Sequence, residues 1–324
     1  MGVLSKLFGG GATTSKPRNA VPQIRFSGNF IDIPQRNFFG AYSRSPNGRF
    51  IIGWRDGNDE GTHGGARTSG MGRYILLEDG HIAVEGRMER PNDGKVADNG
   101  IFILNDWHFY SQELSRTFYA FRPNGEEILH RRFNANLYNN GLAVDGRYAV
   151  CQTCNSRDAQ DSSILTIFDL ERARELARWR PESGWASGYE FSDNGAHIRL
   201  EYPRGPKLAY TLSGEFLGRK AWIDEALAHG DAYMVARVLQ EAGDGPPAEL
   251  VRRLIASLDV GLKAAPESDA RIKAYTFKLK GECFDTLTDF AAALQCYEAA
   301  LSLDPKVGAK RRADQIRKML AQGR

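Results

Sequence analysis

Two cysteines separated by two residues form the clearest chemical motif of this sequence. Cys151 and Cys154 have the spacing that zinc sites and redox-active thiol pairs use. Zinc needs four ligands, and no second cysteine or histidine pair has the required spacing, so His63, His108 or Asp106 would have to complete a site. A redox pair normally opens a helix, whereas this pair ends an expected strand. The residues therefore favour structural thiols and leave a metal site and redox chemistry open.

Other catalytic and cofactor motifs are missing from the sequence. The glycine-rich segment 57–72 contains neither a GxxxxGK[ST] phosphate loop nor a GxGxxG turn between a strand and a helix. No set of serine, histidine and aspartate can be nominated, and no carboxylate pair forms a recognisable acid–base motif. We therefore expect no cofactor and favour a non-catalytic protein, with an enzyme as the alternative.

Polar residues that lead into several expected strands form a second candidate site. If those strands lie side by side, the polar groups converge, and convergent amides and a carboxylate over an apolar scaffold are typical of a binding site. The same residue types also form turns, and turn formation is the favoured explanation. The residues are Asn37, Asn92, Asp93, Asn139, Asn140 and Ser187.

A long loop and several aromatic residues belong to the same end of these strands. The loop, residues 55–72, contains Asp56, His63 and Arg67 among six glycines. Tryptophan and tyrosine side chains that are exposed dominate many protein interfaces, whereas buried ones only fill the core. The aromatic candidates for contacting a partner are Trp54, Trp107, Trp185 and Tyr138.

A turn followed by a strand recurs four times in the region that must position these residues. The glycines of the four turns are 52, 46 and 49 residues apart, namely Gly48, Gly100, Gly146 and Gly195. A second series of turns lies between them, at residues 79–80, 124–125, 172–173 and 213–214. Two hairpins per period give four antiparallel strands, and a period of this length is typical of β-propeller blades.

Residues 21–222 therefore resemble a β-propeller in the broad WD40-like or kelch-like sense, with about four antiparallel four-stranded blades. The regular motifs of either family are missing, since the Trp-Asp dipeptide of a WD40 blade is reversed in Asp106-Trp107. An additional strand, residues 23–33, is a candidate to pair near the fourth blade and close the ring. Residues 216–222 are expected to form the last strand. A fifth irregular blade and an open β-sandwich remain alternatives.

The segment 223–324 has the apolar spacing of helices. Asp231 is the expected N-cap of a helix over residues 232–242, which Gly243 ends. Residues 274–307 resemble a tetratricopeptide repeat (TPR), a helical hairpin about 34 residues long, although Lys280 replaces the usual leucine. The matching residues are Phe277, Gly281, Phe284, Ala293, Tyr297, Ala300 and Pro305. The resemblance implies a short α-helical solenoid that contacts proteins, or a packing domain.

Composition and length point to a multidomain protein of the cytoplasm. The 324 residues carry a net charge of +3 and contain no apolar stretch of the roughly 20 residues that a membrane helix needs. Residues 1–20 have no secretory signal and are expected to form a flexible leader. The four cysteines fall in two predicted domains, which favours reduced thiols.

The last predicted helix is basic and could contact nucleic acid. Because the net charge of the chain is modest, a solvated basic face on a capping helix is the favoured explanation. The basic residues are Lys306, Lys310, Arg311, Arg312, Arg317, Lys318 and Arg324.

Both predicted domains are of kinds that commonly bind other molecules. The leading hypothesis is a non-catalytic protein-binding adaptor, or an inhibitor or immunity-type protein, that uses the propeller loop face and the TPR-like surface. The first alternative is an enzyme, or a small-molecule or metal binder, with a site at the channel mouth of the propeller. The second is nucleic-acid binding through the basic C-terminal helix.

Overall fold

The computed structural model describes residues 23–58, 64–110, 114–192, 195–266 and 269–322. The chain divides into two compact units, of which the first ends at Leu217 and the second begins at Gly218. Strands form the first unit and helices form the second. The expected leader, residues 1–20, lies outside the described residues, and so does His63.

In the described residues, eighteen strands form four antiparallel sheets that follow one another along the chain. Sheet 1 has the order β1-β2-β3-β4-β5-β6 and consists of β1 (Arg25–Ser27), β2 (Phe30–Ile33), β3 (Phe38–Arg44), β4 (Phe50–Arg55), β5 (Gly72–Glu78) and β6 (His81–Met88). Sheet 2 consists of β7 (Pro91–Val96), β8 (Phe102–Asp106), β9 (Arg116–Phe121) and β10 (Glu127–Phe133). Sheet 3 consists of β11 (Leu137–Leu142), β12 (Tyr148–Thr153), β13 (Leu165–Asp169) and β14 (Arg174–Trp179). Sheet 4 consists of β15 (Gly188–Phe191), β16 (His197–Glu201), β17 (Leu208–Thr211) and β18 (Phe216–Leu217).

The repeated glycine turns close a hairpin in each sheet and also join neighbouring sheets. All four glycines have a positive φ, which glycine adopts without steric cost: 75° at Gly48, 81° at Gly100, 74° at Gly146 and 64° at Gly195. In the first turn, Asn47 Oδ1 accepts a hydrogen bond from the Arg49 amide (3.0 Å), and the Asn47 amide donates to Asp98 Oδ1 in the turn of sheet 2 (2.8 Å). In the second turn, Asn99 Nδ2 donates to the Asp145 carbonyl of sheet 3 (2.7 Å). The sequence repeat therefore includes hydrogen bonds between successive sheets.

The four sheets pack against one another in chain order through hydrophobic layers. Sheets 1 and 2 share a core that includes Ile52 and Leu104, and sheets 3 and 4 share one that includes Val150 and Leu200. Between sheets 2 and 3 the rings of Phe118 and Phe168 stack with their centroids 4.6 Å apart. The first strands of sheets 2, 3 and 4 are neighbours, because β7 packs against β11 and β11 against β15, while β3 packs against β7.

The additional N-terminal strand does not pair near the fourth sheet. It forms the hairpin β1–β2, and β2 pairs with β3, which gives sheet 1 six strands instead of four. The reason is local, because a three-residue 3₁₀ helix, Pro34–Arg36, turns the chain directly from β2 into β3. Closing so short a loop costs much less entropy than pairing with a distant sheet. Within the described residues no strand joins sheet 4 to sheet 1, so a closed ring is not shown.

Two glycines in sheet 1 allow close packing around its core. A Cβ on Gly40 of β3 would lie 2.8 Å from the carbonyl carbon of Trp54 in β4, and still closer to the oxygen. A Cβ on Gly53 of β4 would lie 3.1 Å from the ring of Phe38 and 3.2 Å from Ile31. These distances are shorter than ordinary van der Waals contact. Side chains at the two positions would therefore displace the backbone or the core.

Six helices follow in the described part of the second unit: α1 (Arg219–Ala228), α2 (Ala232–Ala242), α3 (Ala248–Ala264), α4 (Ala270–Thr286), α5 (Phe290–Leu303) and α6 (Lys310–Ala321). The expectation of a last strand over residues 216–222 is wrong beyond Leu217. Gly218 has a positive φ of 77°, and its carbonyl accepts the first helical hydrogen bond of α1, from the Trp222 amide (3.1 Å). Trp222 therefore belongs to a helix.

Aspartates begin three of these helices. The predicted cap at Asp231 is confirmed, because its side chain accepts hydrogen bonds from the amides of Tyr233 and Met234, and Gly243 follows the last residue of α2. Asp269 and Asp289 cap α4 and α5 in the same way. Each cap satisfies a backbone donor that the helix itself leaves without a partner.

The helices contact one another closely at glycines. A Cβ on Gly281 of α4 would lie 2.7 Å from the ring of Tyr297 in α5. Lys280, beside it, donates to Asp259 Oδ1 of α3 (2.5 Å), so the residue that replaces a leucine connects α4 to the preceding helix. The turn between α1 and α2 crosses α3 with Gly230 directly against the backbone of Gly261.

Candidate binding surface

The loop face is defined here as the end of the sheets that carries the connections 56–71, 107–115 and 154–164. Two predicted site residues meet there, where the first strands of sheets 2 and 3 lie side by side. The Asn140 amide donates to Asp93 Oδ2 (3.1 Å), and Asn140 Nδ2 donates to the Asp93 carbonyl. Asp93 also forms an ion pair with Lys95 and lies in a β-bulge with a positive φ of 43°. These bonds tie β7 to β11.

Side-chain hydrogen bonds also connect sheets 3 and 4. Asn139 Nδ2 donates to the Ala186 carbonyl (2.6 Å), and the Tyr189 hydroxyl donates to Asn139 Oδ1 (2.5 Å) and Gln152 Oε1 (2.9 Å). Burial raises the pKa of Tyr189 well above its usual value, so its hydroxyl stays protonated and remains a donor. Asn139 therefore holds the start of β11 against sheet 4.

The remaining predicted polar residues are separate from these two clusters. Asn37, with a φ of 46°, ends the 3₁₀ helix before β3, and its carbonyl accepts a hydrogen bond from Arg55 (3.1 Å). Asn92 lies opposite Asn105 in the ladder of sheet 2. The amide of Ser187 donates to the Glu201 carbonyl (2.7 Å). All three contribute to turns or strand pairing.

Asp56 organises the long loop that follows β4. Its carboxylate accepts hydrogen bonds from Arg67 Nη1 (2.7 Å), from Arg90 Nε and Nη2 (both 3.1 Å) and from the Gly65 amide (3.0 Å). Arg67 also donates to backbone carbonyls, among them Gly70 (2.8 Å), and only 8% of its side-chain surface is exposed. The predicted binding residues Asp56 and Arg67 thus hold the loop together, and they line its interior more than its surface.

Acidification is expected to loosen this loop. Burial would raise the pKa of Asp56, but hydrogen bonds from Arg90 and Arg67 outweigh burial and lower it. The order that the carboxylate imposes is therefore complete above the pKa of an unfolded aspartate, about 3.9. It is lost as the pH falls through the lower value of the folded protein. Hydrogen exchange of the amides of residues 64–70, normalised for intrinsic rates, measures this order.

Asp56→Asn is the matching variant. We expect it to exchange these amides rapidly at every pH, because the charge that holds both arginines is gone. Equal protection in the variant and the unaltered chain would show that the carboxylate does not order the loop.

Trp107 and His108 are half-buried in the next loop. Two guanidinium groups lie near the Trp107 ring, with Arg90 at 5.8 Å and Arg116 at 5.9 Å from the ring centroid. The His108 ring nitrogens face hydroxyls, Nδ1 that of Ser115 (3.2 Å) and Nε2 that of Thr117 (2.9 Å). Trp107 therefore contacts two arginines, and the His108 ring is engaged within its own loop.

Tyr138 and Trp185 differ from the other predicted aromatic residues because they are exposed. They expose 47% and 41% of their surface, and their ring centroids are 6.2 Å apart. Trp185 Nε1 donates to the Thr153 carbonyl (3.0 Å), which orients the indole. Trp54, in contrast, packs between sheets 1 and 2 against Gly94. The pair Tyr138 and Trp185, named the aromatic pair below, is the accessible part of the predicted set.

The two cysteines of the CxxC motif are free thiols in different environments. Cys151 is fully buried in β12, and burial raises its pKa well above the usual value; burial also raises the pKa of Cys154. The thiolate is the form that binds metal and reacts. In the part of the chain that the structure describes, no three His, Cys, Asp or Glu residues form a metal-binding group.

Some of the basic residues of α6 have carboxylate partners. Arg312 forms two hydrogen bonds with Asp285 of α4 (2.5 and 2.6 Å), and Arg317 contacts Glu298 (2.8 Å) and Asp314 (2.7 Å). Arg324 lies outside the described residues. The exposed members of the set are Lys306, Lys310, Arg311, Arg317 and Lys318.

Sequence reasoning missed three residues near the loop face. Tyr110 exposes 69% of its surface, and Arg116 and Arg132 both contact Ser115. Arginines of this kind resemble the solvent-facing residues of any strand, so neither their type nor their spacing distinguishes them in the sequence.

No protein-family model matches the chain, and no curated protein sequence is similar to it. Among solved structures, the crystal structure of the C-terminal WD40 domain of Sif2 is similar, with 8% sequence identity and a TM-score of 0.37. The match covers 59% of this chain and 54% of that chain, so the chain matches about half the length of that neighbour. A similarity of this size carries no argument about function. Among the helices of the described residues, none has both the length and the apolar character to cross a membrane.

Proposed function

We propose that this chain is a non-catalytic protein-binding protein, an adaptor or an inhibitor of the immunity type, that binds its partner on the loop face. The observation that carries the proposal is the exposed aromatic pair at the junction of sheets 3 and 4. Tryptophan and tyrosine are enriched among the residues that contribute most to protein interfaces. They provide a large contact area with few rotatable bonds.

The tryptophan of the aromatic pair is held in place before any partner arrives. Trp185 is oriented by its hydrogen bond to Thr153 (3.0 Å). The residues next to the pair are themselves joined, because Asn139 donates to the Ala186 carbonyl (2.6 Å). A contact surface that is already ordered loses little conformational entropy on binding, so more of its burial contributes to affinity.

The finer architecture belongs to the same proposal. We regard the four sheets as a β-propeller-like array, supported by the repeated turns that link sheet 1 to sheet 2 and sheet 2 to sheet 3. We regard α4 and α5 as a TPR-like hairpin, supported by the close approach of Gly281 to Tyr297. A groove of about 540 Å³ in the helical unit, lined in part by Leu239, Tyr275 and Leu279, would provide the second contact surface. We place the protein in the cytoplasm, in keeping with its free thiols.

Affinity capture with the full chain as bait tests the proposal. The unaltered chain, the double variant Tyr138→Ser/Trp185→Ser and the control Val144→Ser would each be incubated with an extract of the source cells. Val144 is a suitable control because it exposes 57% of its surface and lies at the opposite end of the β11–β12 hairpin. We expect a stoichiometric protein partner on the unaltered chain and the control, and its loss from the double variant.

Folding of each bait is checked by circular dichroism before capture. A partner retained equally by all three baits would contradict the placement of the site on the aromatic pair. Folded bait that captures no protein would contradict the protein-binding function itself.

A further inference from the structure

Two arginines converge on one buried serine at the loop end of sheet 2. Arg116 Nη1 donates to the Ser115 carbonyl (2.6 Å), and Arg132 Nη2 donates to Ser115 Oγ (3.1 Å). Arg116 begins β9 and is paired with Phe133 in β10. Arg132 is the residue before Phe133 in that strand. Only 4% of the Ser115 surface is exposed. One anchoring residue therefore brings two cationic side chains together.

Neither arginine has a carboxylate partner among the described residues. Other arginines of the same sheet do have one, since Arg122 contacts Glu126 (3.5 Å) and Arg131 contacts Asp161 (3.9 Å). Arg116 Nε is also buried without a hydrogen-bond acceptor in the described part of the chain. Burial, and then the charge of Arg90, lower the pKa of Arg116, although arginine stays protonated in proteins. The charge of Asp106 acts on Arg116 in the opposite direction, without a direct ion pair, so an anion placed here would supply the direct contact that the described carboxylates do not.

The surroundings of the two arginines limit the kind of anion that fits. The Trp107 ring, 5.9 Å from the Arg116 guanidinium, supports one side of the site. Two carboxylates lie close by: Asp106 accepts the Arg90 amide (2.8 Å), and Glu89 accepts the Phe109 amide (2.5 Å). These negative charges would repel the continuous phosphate backbone of a nucleic acid, whereas a single anionic side chain can avoid them.

We propose that Arg116 and Arg132 bind an oxyanion on a peptide segment of the partner protein, either an Asp or Glu carboxylate or a phosphorylated side chain. Guanidinium groups match both kinds of oxygen pair in planar, charge-assisted hydrogen bonds. Clusters of arginine recognise acidic and phosphorylated peptide motifs in this way. The inference rests on the proposed function, because it assigns the charge of the partner segment that binds the loop face.

Binding of two fluorescein-labelled peptides to the full chain tests the proposal. One is a Gly-Ser repeat decapeptide with a single glutamate at its centre, and the other is the same decapeptide with a single phosphoserine there; the decapeptide with neither charge is the neutral reference. The chain is used unaltered, as Arg116→Gln/Arg132→Gln, and as the control Arg122→Gln, which removes a positive charge elsewhere on the same sheet. We expect one of the charged peptides to bind to the unaltered chain. The dissociation constant of that peptide should be about tenfold or more higher for the double variant, as expected for lost hydrogen bonds to charged groups. The control should bind like the unaltered chain.

The Trp107 indole provides a site-specific signal. In a spectrum of the ¹⁵N-labelled protein the bound peptide should shift the Trp107 Nε1–H resonance, which Trp107→Phe identifies by its disappearance. Absence of binding by both charged peptides, equal affinities for the double variant and the control, or an unshifted Trp107 signal would overturn the proposal. Which peptide binds decides between carboxylate and phosphate.

The two proposals fail separately. If the arginine double variant still captures the partner that Tyr138→Ser/Trp185→Ser loses, the oxyanion site is wrong and the protein-binding function stands. If the charged peptide binds but no protein is captured, the protein-binding function is wrong.

Discussion

Gly40→Ala is expected to destabilise the strand-rich unit by about 3 kcal/mol, at the upper end of the usual cost of inserting atoms into a packed core. The added Cβ would lie 2.8 Å from the Trp54 carbonyl carbon and closer to its oxygen, and that oxygen belongs to the paired strand β4. A backbone carbonyl cannot turn away as a flexible side chain can. The strands β3 and β4 would have to separate, which also disturbs the Ile31 and Phe38 side chains packed over Gly53.

Denaturant unfolding followed by tryptophan fluorescence measures this loss. Four of the five tryptophans, Trp54, Trp107, Trp179 and Trp185, lie in the strand-rich unit, so the signal reports mainly on it. Gly64→Ala is the matched control, because its Cβ would enter open space at an ordinary φ. We expect the control to unfold like the unaltered chain. A Gly40→Ala midpoint equal to that of the control would mean that β3 and β4 are not packed as closely as described.

Gly261→Ala is expected to destabilise the helical unit, although the same change stabilises most helices. Alanine in a helix interior is normally favoured over glycine by about 1 kcal/mol. Here the added Cβ would lie 3.2 Å from the Gly230 carbonyl carbon, and closer to the oxygen, in the turn that joins α1 to α2. That turn is fixed from the other side, because Ser257 Oγ donates to the Leu227 carbonyl (2.6 Å). We expect a net loss of about 1–3 kcal/mol, the usual range for overpacking.

The sign of the change makes this prediction specific. Val260→Ala, at the adjacent position of α3, is the control, since Val260 is 44% exposed and alanine has the higher helix propensity. Thermal unfolding followed by helical circular dichroism should show a lower midpoint for Gly261→Ala and an equal or higher one for Val260→Ala. A midpoint raised by Gly261→Ala would contradict the contact between Gly261 and Gly230.

Local features of the fold can be predicted from the sequence because few residues determine them. Gly48 and Gly146 follow Asn47 and Asp145, and such pairs form tight hairpin turns wherever alternating strands flank them. Asp231 begins a helix for an equally local reason. The partner of β2 cannot be predicted in this way. Alternation buries Ile31 and Ile33 on one face, but it does not say which strand lies beside them.

The candidate site is predictable in its position and much less so in its chemistry. The repeat places Asp93 and Asn140 at the same end of neighbouring strands, where the structure brings them together. Whether an amide binds a ligand or a neighbouring strand depends on the distance between backbones, which the sequence does not contain. The exposure of Trp185 and the burial of Trp54 are undetermined for the same reason, because they depend on what packs over each residue.

Calorimetry should compare the dissociation constants of the captured partner for purified Tyr138→Ser/Trp185→Ser, for Val144→Ser and for the unaltered chain. This comparison shows whether the aromatic pair binds the partner. Removing the exposed part of two anchoring aromatic side chains should weaken binding at least about thirtyfold, because residues of this kind contribute about 2 kcal/mol or more to an interface. We expect that loss of affinity in the double variant and none in Val144→Ser. Equal dissociation constants for all three proteins, each with an unchanged unfolding midpoint, would contradict the claim that the loop face binds the partner through its aromatic pair.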